Sequence, residues 1–114
     1  MQDETRSVPA RPERALLDLL GLAARARALA SGTDAARQAV RDGEVRCVIV
    51  AADASPTQAK KLVPLMEARG VRFFTCLSRE SIGAATGRGP VSAVGITNDS
   101  FARRAAELAA ALSS

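Results

Sequence analysis

The stretch that most narrows what this chain can become is Arg46-Cys47-Val48-Ile49-Val50-Ala51. It is short, rich in β-branched residues and free of polar alternation, the pattern of a strand covered on both faces. Such a strand needs a layer of helices on each side, and its flanks supply them. Upstream, Gly32-Thr33-Asp34-Ala35-Ala36-Arg37-Gln38-Ala39-Val40-Arg41-Asp42-Gly43 reads as a short helix between two glycines. Ala36, Ala39 and Val40 form its buried side, Asp34, Arg37, Gln38 and Arg41 lie opposite, and Thr33 is the expected N-cap hydroxyl. Downstream, a turn at Ala52-Asp53-Ala54 leads into Ser55-Pro56-Thr57-Gln58. A cap serine, a proline at the first helical position and a glutamine at the third predict a helix from Pro56. Its apolar residues Ala59, Leu62, Val63 and Met66 keep helical spacing, Gly70 ends it, and Pro64 is expected to kink it or loosen one backbone bond.

The same alternation runs through the rest of the chain. Pro12 opens a helix with Leu16, Leu17, Leu20 and Ala24 on one face, ending between Arg25 and Ala28. Val71 to Cys76 reads as a strand, Ser78 caps a short helix through Ala85, and Thr86-Gly87-Arg88-Gly89-Pro90 is a loop. Val91 to Ile96 is another strand, and Phe101, Ala105, Leu108 and Leu112 recur in a last helix capped near Asn98. Alternating helices and strands predict an α/β fold, a three-layer α-β-α sandwich around a small, mostly parallel or mixed central sheet. The 114 residues suit one domain. Residues 1–11, polar and carrying Pro9, read as a flexible N-terminal tail, and residues 12–114 as that domain.

Composition removes most chemistries. The chain has no histidine, which eliminates the common acid–base and nucleophile constellations and most zinc sites, so neither catalytic residues nor a metal or cofactor is expected. Cys47 and Cys76 each sit in an apolar run and read as buried thiols in a reducing compartment. Gly87-Arg88-Gly89 lacks the lysine or third glycine of a nucleotide cradle. Asp53, at the end of a strand, reads as a turn and capping residue. No apolar run is long enough to cross a bilayer and the N-terminus lacks a signal-peptide core, so the expected location is cytoplasmic, away from membranes.

The charge balance points elsewhere. Sixteen basic residues against twelve acidic ones leave a net charge of +4, nearly all the cations are arginine, and arginine's planar fork matches phosphates and guanine edges. Three phenylalanines with no tryptophan or tyrosine argue against base stacking on broad aromatic platforms. A helix start exposes unpaired N–H groups to an anion. The first turn of the second helix, the turn at 52–55 and the loop at 86–90 are expected to converge at one edge of the sheet, where strand ends and helix starts gather.

Particular residues carry a resemblance. Leu19-Leu20-Gly21-Leu22-Ala23, Ser31-Gly32-Thr33-Asp34, Val48-Ile49-Val50-Ala51-Ala52-Asp53-Ala54-Ser55-Pro56, and Ile82-Gly83 with Gly87 closely resemble the RNA-binding superfamily of ribosomal proteins seven-Ae and thirty-e. The likeness covers about residues 13–112 and is greatest to small bacterial YlxQ-type members. It implies an α-β-α sandwich that grips a kink-turn, a sharply bent RNA duplex with a bulge beside tandem G·A pairs. In that family the helix after the glycine presents Asn, Glu and a later Lys to the RNA, and a loop before the last strand packs over the bulge.

Carried over, the implied RNA-binding residues are Gly32, Thr33, Asp34, Ala35, Arg37, Gln38 and Arg41, with Gly87, Arg88, Gly89, Pro90 and Val91 in the loop. Gly32 matches the family, whereas Asp34 stands where Asn is usual, Ala35 where Glu is usual and Gln38 where Lys is usual. Asp34 keeps acceptors but loses the amide donor, Ala35 has no polar atom to read a guanine edge, and Gln38 drops a cation. Upstream, Arg27 and Ala28 replace the Gly-Lys common in YlxQ-type relatives. Two functions stay open: a non-catalytic binder of structured, kink-turn-like or ribosomal RNA, with a protein partner in a ribonucleoprotein, or a protein-interaction module that has lost kink-turn specificity.

Overall fold

The computed structural model describes residues 11–113. The expected tail lies outside them except for Arg11, which is the first residue of helix α1 (Arg11–Arg25). There follow β1 (Leu29–Ser31), α2 (Thr33–Arg41), β2 (Cys47–Val50), α3 (Pro56–Arg69), β3 (Arg72–Thr75), α4 (Arg79–Ala85), β4 (Ala93–Ile96) and α5 (Asp99–Ser113).

The expected strand at 46–51 is the centre of the fold, and all four residues of β2 are buried. Cys47 and Ile49 face a core shared with Leu16 and Leu20 of α1, Ile82 of α4 and Ala105 and Leu108 of α5. Val48 and Val50 face the opposite core, with Ala36, Ala39 and Val40 of α2 and Leu62 and Met66 of α3. Two apolar layers are why the run shows no polar alternation. The apolar stripe of α5 is spent inside the molecule, packed on α1 and the sheet.

The three-layer sandwich is as expected, and its sheet is mixed. Strand order is β1-β4-β2-β3. β4 runs antiparallel to both β1 and β2, and only β2 and β3 are parallel. β1 is an element the sequence pattern does not announce: three half-buried residues, Leu-Ala-Ser, paired with Ile96, Gly95 and Val94 of β4. Its ladder partner is more than sixty residues away in the chain, so no local pattern marks it.

Helix ends follow their sequence signals with one correction. Ser55 Oγ accepts from the Gln58 N–H, Gly70 closes α3 in the left-handed region at φ 68°, and Asn98 Oδ1 accepts from the Phe101 N–H. The complete reciprocal capping box belongs to Ser78 and Ser81 at α4. α3 runs as one helix through Pro64. The correction concerns Thr33, which does not cap α2: Gly32 occupies the cap position, and Thr33 is the first helical residue, 8% exposed.

Cys47 and Cys76 are free and buried. Burial pushes both thiols up to about 11 from the ordinary value near 9, since the core disfavours a thiolate. The unfolded chain therefore releases these protons first as pH rises, and stability present below pH 9 is lost as pH climbs towards 11. Urea unfolding between pH 8 and 11 is expected to show a decline of roughly 2 kcal/mol per thiol by the upper end. In Cys47→Ala and Cys76→Ala variants that slope will flatten; an unchanged slope would assign it to other groups.

Candidate nucleic-acid interface

Three stretches separated in sequence meet at the start of β4. The Gly32 N–H donates to the Ala93 carbonyl at 2.8 Å, which fastens the entrance of α2 to β4. The Ala51 N–H donates to the Ser92 carbonyl at 2.8 Å, which brings the end of β2 to the same point. The Val91 N–H donates to the Arg79 carbonyl at 3.1 Å, joining the loop after α4 to the first residue of that helix. Asp53 completes the junction: Oδ1 accepts from the Arg79 N–H at 2.8 Å, and Oδ2 lies 3.6 Å from Arg79 Nε. The Arg79 backbone N–H, aided by its guanidinium, holds the Asp53 carboxyl below its usual range. Asp53 is thus the turn and capping residue its position suggested.

The loop at 86–90 is braced on α4. The Arg88 N–H donates to the Gly83 carbonyl at 2.7 Å, and Thr86 Oγ1 donates to the Ile82 carbonyl at 2.9 Å. A Cβ on Gly83 would lie 2.0 Å from the Gly89 oxygen, so no other residue fits while the loop stays in place. Gly21 serves a similar end in α1, where an added Cβ would lie 2.9 Å from the Ala85 oxygen. These glycines of the resembling motif are where backbones touch.

The expected site residues separate into three groups. Asp34, Ala35 and Gln38 are exposed on the first turns of α2, and Gly87, Arg88, Gly89 and Pro90 are exposed on the loop. Arg88, Gly89 and Pro90 line an open groove of about 400 Å³ together with Asp53, Arg79 and Glu80. Gln38 Nε2 donates to Asp42 Oδ1 at 3.0 Å. Arg37 is half-buried, and its Nε is buried without a hydrogen-bond partner.

Thr33 and Val91, 8% and 6% exposed, are corrected from surface contacts to supports, because their side chains point into the protein. Arg41 is exposed at the other end of the helix: it closes α2 about 12 Å along the axis from Thr33, and its carbonyl accepts from Arg69 Nη1 at 2.9 Å.

Arg79 is the cation that sequence reasoning missed. The signal was present in the capping serine immediately before it at the end of a strand, yet the partner that orients it, Asp53, is 26 residues upstream. Arg27 has φ 60°, a left-handed conformation in which a non-glycine residue is uncommon. Among the described residues there is no cluster of three His, Cys, Asp or Glu side chains able to hold a metal, and no helix is long and apolar enough to cross a membrane.

In this α-β-α sandwich a glycine-opened helix is fastened to β4 and a glycine-braced loop leads into the same strand. The sequence profile of the ribosomal protein L7Ae/L30e/S12e/Gadd45 family matches residues 14–106, and the chain belongs to that family. It is 33% identical over 86 residues to the RNA-binding protein YlxQ of Bacillus subtilis, covering 75% of this chain and 86% of that protein. Among solved structures it is similar to a protein of unknown function from Bacillus halodurans, with TM-score 0.79, 34% identity, and coverage of 83% of this chain and 96% of that one. It is also similar to the Giardia lamblia 15.5kD RNA binding protein, with TM-score 0.73, 26% identity, and coverage of 90% and 88%.

Proposed function

We propose that this protein is a non-catalytic RNA-binding protein whose single α-β-α domain, residues 12–114, holds structured RNA. The surface runs from the first turns of α2 to the loop before β4. The observation that supports the reading is the Gly32–Ala93 hydrogen bond, which fastens the entrance of α2 to β4, the strand into which the loop bearing Arg88 leads. Family membership and RNA-binding relatives support it.

Within this surface, phosphates supply affinity and base edges supply selection. Arg37, Arg88 and the added Arg79 are the cations, and the exposed N–H groups of α2 favour an anion. Asp34 and Ala35 take the places of the family's base-reading pair, so recognition rests on backbone shape and phosphate placement more than on the G·A edges of a kink-turn.

Arg37→Glu combined with Arg88→Glu is expected to weaken RNA binding several-fold or more and to flatten its dependence on salt, as measured by filter binding to kink-turn and plain duplex RNAs. Because Arg37 is half-buried, Arg88→Glu alone is measured alongside and is expected to show the same direction at smaller size. Unchanged affinity in both variants at fixed salt would remove this surface from RNA binding.

A further inference from the structure

A second cationic site lies at the other end of the sheet. Cys47, at the start of β2, is three residues and about 10 Å from Val50, next to the junction described above. Beside Cys47, a pocket of about 240 Å³ is walled by Arg46, Arg72, Arg103 and Asp99, with Cys47, Ala102 and Ala106 as its small, uncharged floor. Three elements contribute: Arg46 enters β2, Arg72 opens β3 in register with Cys47, and Arg103 stands on α5.

Three arginines and one carboxylate, Asp99, line this pocket. Arg46 Nε donates to Asp99 Oδ1 at 2.7 Å and its Nη1 donates to the Gly43 carbonyl at 3.2 Å, which fixes the plane of that guanidinium. Arg72 lies 5.5 Å from the centre of the Phe74 ring, a cation–π contact that steadies its side chain without neutralising its charge. Neither Arg72 nor Arg103 has an acidic partner among the described residues. Like charges drawn together from separate elements repel, and a multiply charged anion between them relieves that repulsion with fork-shaped hydrogen bonds.

We propose that this pocket binds a phosphate group, with Arg72 and Arg103 as its principal ligands and Arg46 as the positioned third. Its volume, under the roughly 300 Å³ at which small-molecule pockets begin, admits the phosphate of a larger molecule or a free pyrophosphate but not a drug-sized ligand. The phosphate can come from an RNA backbone or from a free nucleotide. The site shares no residue with the surface proposed for RNA, so either can stand without the other.

The test is an amide NMR titration of the full chain with inorganic pyrophosphate, a nucleoside triphosphate and a duplex RNA in parallel, at constant ionic strength. Saturable shifts are expected at Arg46, Cys47, Arg72, Ala102 and Arg103. Arg72→Ala with Arg103→Ala is expected to weaken binding at least about tenfold while leaving the melting curve of the protein in place. Saturation by pyrophosphate or the nucleotide assigns a small phosphate ligand, and saturation here by RNA alone assigns an RNA backbone. Shifts that grow linearly with every ligand, or saturation that the double variant leaves unchanged, overturn the proposal. Shifts confined to Gly32–Gln38 and 86–90 also overturn it, while supporting the first site.

Discussion

Gly83→Ala is expected to lower stability by about 3 kcal/mol or more, which in a domain of this size is a fall in melting midpoint of more than about 10 °C. The added methyl would lie 2.0 Å from the Gly89 oxygen, 2.6 Å from its carbonyl carbon and 3.0 Å from the Arg88 oxygen. All three are backbone atoms, so no side chain can swing aside. Either α4 and the loop separate, breaking the 2.7 Å bond from the Arg88 N–H to the Gly83 carbonyl, or the clash remains. Separation also moves Arg88, so affinity for RNA should fall with stability. Thermal unfolding followed by circular dichroism measures the first effect. A loss below about 1 kcal/mol would mean that loop and helix part at little cost, and that Gly83 does not set the loop.

Gly32→Ala acts by a different route. Around Gly32 nothing lies within 4 Å of an added Cβ, so space is not at issue. The backbone is: φ 100° with ψ 156° falls in a region that residues with side chains scarcely enter. Alanine there is expected to cost about 2 kcal/mol if the backbone holds. If it relaxes instead, the Gly32–Ala93 bond and the angle at which α2 leaves β1 both change, and RNA affinity drops several-fold. Measuring urea stability and RNA affinity on the same variant separates the two. A variant unchanged in both would show that the α2 entrance does not depend on this conformation.

These two glycines also mark where the sequence could be read and where it could not. Gly32 was legible because a glycine before a polar first turn is a helix-entrance signal in the local chain. Gly83 was legible only through resemblance, because the atom that forbids a side chain there belongs to Gly89 across a turn. Thr33 looked like the natural cap by residue type, yet the neighbouring backbone geometry turned it inward. Arg41 shares a face of α2 with Arg37 and Gln38 but closes the helix at its far end, a distinction that periodicity does not make, since face and position along the axis are independent.

Within this protein, then, the sequence by itself determined the elements that rest on local or periodic signals. Those are the doubly covered strand at 46–51, the capped starts at Ser55, Ser78 and Asn98, the stop at Gly70, and the class of fold that alternating elements require. Only the tertiary structure decided what depends on distant partners. It placed the three-residue β1 against β4 and made the sheet mixed. It joined Asp53 to Arg79 and assembled Arg46, Arg72 and Arg103 around one pocket. The reason is physical: caps and periodic faces are settled within a few residues by the chain's own hydrogen bonds and hydropathy. Strand pairing and charge convergence are settled only when the core brings segments together across dozens of residues.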